Sequence, residues 1–287
     1  MQNSSLPTLT LEDKINAASF FEKDSPPALI VEGKIDRIIY SRMLLISELN
    51  WDDIDLVFAE GKCNIINAIE DGLNFDYVAL MDLDLDSYKN CCRTEKEVVY
   101  THFYSIENYL TMEDILSLMI NDIRIVKRPT VKVKKIIKQL EEELYPLAIA
   151  CVLKADNNWS IKLEKCNIQQ WHSDIQKIDA NILKKYLIQH LNQKGISING
   201  DELDELYMEK TAEIKAAGMF FDNLVPGKQK LTAVFYEFQR DFPDFMRRRE
   251  INIFTIDLCK YITESQYVKD LVMEIDGKLK AKMALRN

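Results

Sequence analysis

Positions 28–46, "ALIVEGKIDRIIYSRMLLI", open with four apolar residues in succession and then change period, because Ile35, Ile38, Ile39, Met43 and Ile46 recur at helical spacing. This predicts a strand followed by a helix with one apolar face. The alternation repeats: "IDLVFAEG" (54–61) and "NIINAIEDGL" (64–73) predict a second strand and helix, and "FDYVALMDLDLDS" (75–87) a third strand that ends in acids. Short apolar runs separated by helices imply parallel strands joined by crossovers, so residues 26–118 are expected to form an α/β unit, a parallel sheet flanked by helices. Beyond "VVYTHFYSIENYL" (98–110) the alternation fades. Thr111 with Asp114 has the spacing of a capping box opening "MEDILSLMI", and "NILKKYLIQHL", "LDELYMEKTAEIKAA" and "ESQYVKDLVMEIDGKLKAKM" read as amphipathic helices. Residues 119–287 are therefore expected to be a mostly helical second domain, with no linker or internal repeat to mark the boundary.

Glu32 follows the first apolar run directly, and in open parallel sheets ligands bind beyond the carboxyl ends of the strands. Asp82, Asp84 and Asp86 follow the third run in the same way. If "MDLDLD" stays extended, the three aspartates project to one side and Met81, Leu83 and Leu85 to the other. Like charges on one face are unfavourable unless a cation sits among them, and oxygen-only ligands suit Mg²⁺ or Mn²⁺. Taken singly, each motif has an ordinary reading: a helix N-cap for Glu32, a solvated turn or weak calcium loop for the aspartates.

The chain has 287 residues, 47% of them hydrophobic, enough for one large core or two modest ones. The start, "MQNSSLPTLTLEDKINAASF", has no basic segment followed by an apolar run, and no stretch approaches the roughly 18 apolar residues of a membrane span, so a cytoplasmic protein is expected. Cysteines 63, 91, 92, 151, 166 and 259 show no CxxC spacing and are expected as reduced thiols. The net charge of −9 opposes nucleic-acid binding by bulk electrostatics, so any such contact must be local. "RIVKRPTVKVKKIIK" (124–138) could supply it through Lys127, Arg128, Lys132, Lys134 and Lys135, with Lys34 a further candidate beside Glu32; a solvated face is the alternative.

A strand ending in EGxxD, followed 50 residues later by one ending in DxDxD within one α/β unit, resembles the TOPRIM domain of topoisomerases, bacterial-type primases and several nucleases. The resemblance implies that Glu32 serves as acid/base or metal ligand and that Asp82 and Asp84 hold divalent metal, Mg²⁺ or Mn²⁺, with Asp86 beside them. Asp36 matches the EGxxD form of the nuclease branches, or is a first-turn acid favoured by the helix dipole. With "YSIENYL" (104–110), where Ser105 has the position of an N-cap, and "LVPGKQKL" (224–231), the chain is similar to the bacterial TOPRIM family related to OLD nucleases, which includes the AriB toxin subunit of PARIS-type phage defence. This resemblance implies that Glu107 joins the metal ligands and that Lys228 approaches a phosphate or the leaving group; an ordinary turn lysine is the other reading of Lys228. It further implies a nuclease acting on RNA, tRNA included, or DNA, a partner ATPase of the ABC type that holds the subunit until a phage signal releases it, and a homodimer as the active form. Two alternatives remain: an RNA-processing enzyme of the ribonuclease M5 kind, whose usual glycine after the aspartate pair is missing from "DLDLDSYKN", and a partner-binding module without chemistry.

Overall fold

The computed structural model describes residues 27–33, 37–50, 54–72, 76–123, 129–163 and 180–284. Lys34, Asp36, Lys127 and Arg128 lie outside the described residues. In chain order the elements are β1 (Ala28–Val31), α1 (Arg37–Met43), β2 (Asp55–Phe58), α2 (Lys62–Glu70), β3 (Tyr77–Met81), β4 (Val98–Tyr100), α3 (Glu107–Leu110), α4 (Glu113–Ile123), α5 (Pro129–Asp156), α6 (Ala180–Gln193), α7 (Gly200–Ala216), α8 (Gly227–Asp241), α9 (Pro243–Met246), α10 (Ile251–Cys259) and α11 (Gln266–Ala284). The architecture is α/β, a parallel sheet flanked by helices with a mostly helical remainder.

Two compact units interleave along the sequence rather than meeting at one boundary. Of the described residues, the first holds those through Asp82, residues 93–101 and those from Gln266 onward; the second holds Leu83–Cys92 and those between His102 and Ser265.

In the first unit the four strands run parallel in the order β2-β1-β3-β4. The central strand β1 is apolar throughout because both of its faces are covered: Leu29, Ile30 and Val31 have no exposed surface, each such burial being worth about 1.5–3 kcal/mol. Ala28, Ile30, Tyr77, Ala79, Met81 and Val98 form one core layer with Ile65 of α2. Helix α11 belongs to this unit. Its buried Asp276 accepts from the Ser47 hydroxyl at 2.6 Å and the Glu48 amide at 2.8 Å, and Lys278 donates to the carbonyls of Lys96 and Val98.

In the second unit, α5 changes character along its length. Val133, Ile136, Leu140 and Leu144 make one buried stripe, whereas Leu147 through Leu153 are buried without interruption, the signature of a helix that enters the core. Thr111 does not cap α4: its hydroxyl donates to the Asn108 carbonyl at 2.8 Å and it closes α3 instead, so the expected capping box is not formed there. Among the described residues no helix is long and apolar enough to cross a membrane, and Cys63, Cys91, Cys92, Cys151 and Cys259 are thiols.

Candidate functional site

Glu32 lies where β1 leaves the core. The register pairs Val31 with Leu80, which brings the next residues into reach, and the Asp82 amide donates to Glu32 Oε1 at 2.8 Å. The strand order explains why acids stand there. From β1 the chain goes to β2 on one side, and from β3 to β4 on the other, so the carboxyl ends of β1 and β3 border the switch point at which an open sheet leaves a crevice. The β2–α2 loop braces the same end: Ala59 N–H donates to the Val31 carbonyl at 2.8 Å and Gly61 N–H to the Glu32 carbonyl at 3.0 Å. Gly61 has φ of 130°, a backbone setting for which a residue without Cβ is suited.

The aspartate run is not extended. β3 stops at Met81, and the Asp86 and Cys91 amides donate to the Leu83 and Asp86 carbonyls, winding residues 84–90 into turns. Asp84 takes φ of 48°, a left-handed setting that aspartate tolerates, and its amide donates to the Tyr104 carbonyl at 2.7 Å. Leu83 and Leu85 are nevertheless buried while Asp84 and Asp86 are half-buried, so the inside-outside alternation survives without the strand that was expected to produce it.

Within the second unit this turn is tied to α5 and α7 by side chains that the motif reading did not single out. Tyr88 donates to Asp156 at 2.8 Å and receives from Lys210 at 3.1 Å; Lys210 also pairs with Asp156 at 2.6 Å and with Glu213. Burial pushes the Tyr88 phenol up to about 12, which keeps it a donor at neutral pH. Burial works against the charge of Lys210, but bonds to Asp156, Glu213 and Tyr88 prevail and raise its pKa.

Glu107, at the start of α3, is 4% exposed. Ser105 does not cap that helix; its hydroxyl donates to Glu107 Oε2 at 2.7 Å and accepts from the Gly227 amide at 3.2 Å. Asn108 Oδ1 accepts from the Ser105 amide, and Asn108 Nδ2 donates to the Val225 carbonyl at 3.2 Å, so α3 and the start of α8 are held together by polar groups. A Cβ on Gly227 would stand 2.4 Å from Ser105 Oγ and 2.6 Å from Asn108 Oδ1, which makes glycine a steric requirement of this approach. Lys228 Nζ lies 3.3 Å from Glu107 Oε1, and Lys230, 2% exposed, forms an ion pair with Asp222, another pairing for which the sequence offered no local spacing rule. Of the basic stretch, Lys132 pairs with Asp241 at 3.0 Å and Lys134 with Glu113 at 3.5 Å, while Lys135 is exposed.

The structure thus joins Glu32 to Asp82 in the first unit and Glu107 to Lys228 in the second. Among the described residues, no three His, Cys, Asp or Glu side chains form a ready group for a metal ion, so the fit to a divalent cation is judged at single carboxylates. Glu107 passes that test: its Oε1 is buried without a hydrogen-bond partner, an acceptor that a hard cation satisfies. Compared with known proteins, the chain matches no family model, and no curated protein sequence matches it.

Proposed function

We propose that this chain is a metal-dependent nuclease of the TOPRIM type, related to OLD nucleases, that hydrolyses phosphodiester bonds of RNA or DNA. The observation that carries the reading is the pair at the switch point, with Glu32 at the end of β1 accepting the amide of Asp82 at the end of β3. Bound Mg²⁺ or Mn²⁺ would supply charge neutralisation and an activated water. Glu32 and Asp82 would be oxygen donors for it within the first unit, and Glu32 would move a proton; within the second unit, taken by itself, Glu107 offers a carboxylate and exposed Lys228 an ammonium for a phosphate oxygen. The reading extends to biology: a toxic effector of phage defence, restrained by a partner ATPase.

The test is cleavage of single-stranded, duplex and structured RNA and DNA with Mg²⁺ or Mn²⁺, comparing wild type with Glu32→Gln. The amide keeps an oxygen to accept the Asp82 N–H, so the variant should fold with an unchanged melting temperature while cleavage falls at least about a hundredfold. Equal cleavage by both proteins would remove Glu32 from the reaction, and no cleavage of any substrate would favour a partner-binding module.

A further inference from the structure

The two oxygens of Glu107 are served differently. Oε2 takes the Ser105 hydroxyl, whereas Oε1 is buried without a hydrogen-bond donor, and the ammonium 3.3 Å away is within ion-pair reach but outside hydrogen-bond alignment. A buried carboxylate needs a counter-charge. Lys228 provides one from the outside, since its side chain is 64% exposed against 5% for Glu107. It does so from the first turn of the fifteen-residue α8, the helix end whose dipole disfavours a cation. A contact that is coulombic, undirected and solvent-facing is one that another cation can replace.

We propose that Lys228 is a displaceable counter-charge: lysine and divalent cation compete for Glu107 Oε1, and metal binding releases the ammonium to meet an anionic oxygen. The inference rests on the reading of Glu107 as a carboxylate for a divalent cation. It gives Lys228 two opposed effects, weakening metal binding while assisting turnover, and it couples the two, because the metal takes over from the lysine the neutralisation of Glu107.

Mn²⁺ alone is the probe, titrated into the full chain and followed by the electron paramagnetic resonance of the free ion, for wild type, Lys228→Met, Lys228→Gln, Glu107→Gln and the Glu107→Gln/Lys228→Met double variant. Both lysine variants should bind Mn²⁺ tighter by roughly fivefold, the effect of losing a partly exposed ion pair. The gain should vanish in the Glu107→Gln background. Unchanged or weaker Mn²⁺ binding by the lysine variants overturns the proposal, as does an equal gain without Glu107, or no Mn²⁺ binding by any of the proteins. If Glu107→Gln fails to fold, the direction of change in the two lysine variants still decides, because both alter an exposed side chain. Cleavage assays separate the two readings: activity with unaltered Mn²⁺ affinity sinks the competition and keeps the nuclease, whereas tighter binding by a chain that cleaves nothing does the reverse.

Discussion

Gly227 tolerates no side chain, and the reason is polar rather than apolar packing. An alanine methyl would meet Ser105 Oγ and Asn108 at once, forcing α8 away from α3 and loosening the bond that orients Glu107. Gly227→Ala should therefore lower the unfolding free energy by about 1–3 kcal/mol, measured by denaturant titration. An unchanged midpoint would mean that the approach is looser than the geometry states. The sequence pointed to Glu107 and the Gly-Lys pair through a resemblance, but it suggested Ser105 as a cap. The hydroxyl instead serves Glu107 and Gly227, a residue 122 positions away, and no local spacing encodes a partner at that distance. Lys230 and Asp222 escaped notice for a related reason: lysine is read as solvated unless a paired acid is visible at helical spacing, and theirs lies outside the helix.

The strands β1, β2 and β3 were legible because each is a short apolar run bounded by polar residues, and their parallel sense followed from the helices between them. The turn after β3 was not. Period-two burial is the mark of a strand, yet Leu83 and Leu85 reach the core from a wound backbone, so the pattern persists where the geometry that usually produces it has ended. Helix α8 carries a second property that patterning conceals. Glu237 is 3% exposed, and burial pushes its carboxyl up to about 7; Arg240 pulls the other way, while Glu143 and Asp241 add to the rise. Its folded-state pKa thus exceeds the ordinary value of 4.5, so between about 4.5 and 7 the native state binds a proton that the unfolded chain has lost. Stability from this group is full at low pH and declines as pH rises through 7. Glu237→Gln should raise the melting temperature at pH 8 relative to wild type and leave it little changed at pH 5. A constant difference across that range would show that Glu237 does not titrate there.

An acidic chain is a poor generic binder of polyanions, so the proposed nuclease, with a net charge of −9, would have to select its substrate or be delivered to it. The proposed restraint by an ATPase makes a cellular prediction: expression of the wild-type chain alone should stop growth, Glu32→Gln should abolish the effect, and a neighbouring ATPase should co-purify. Harmless overexpression with no ATPase recovered would leave a narrowly specific processing nuclease as the better account. The interleaving of the two units was not legible at all, because composition shows no linker and periodicity cannot tell that α11 joins a sheet begun more than two hundred residues earlier. That connectivity sets an order in time. A ribosome has produced Glu32, Asp82, Glu107 and Lys228 well before it produces Gln266–Ala284, the helix whose Asp276 accepts from Ser47 and Glu48 and whose Lys278 donates to the carbonyls of Lys96 and Val98. Chains ending before Gln266 should be digested by protease far faster than the full chain and should spare the cell. Nascent chains would then carry every proposed site residue and yet remain harmless until translation has passed them by.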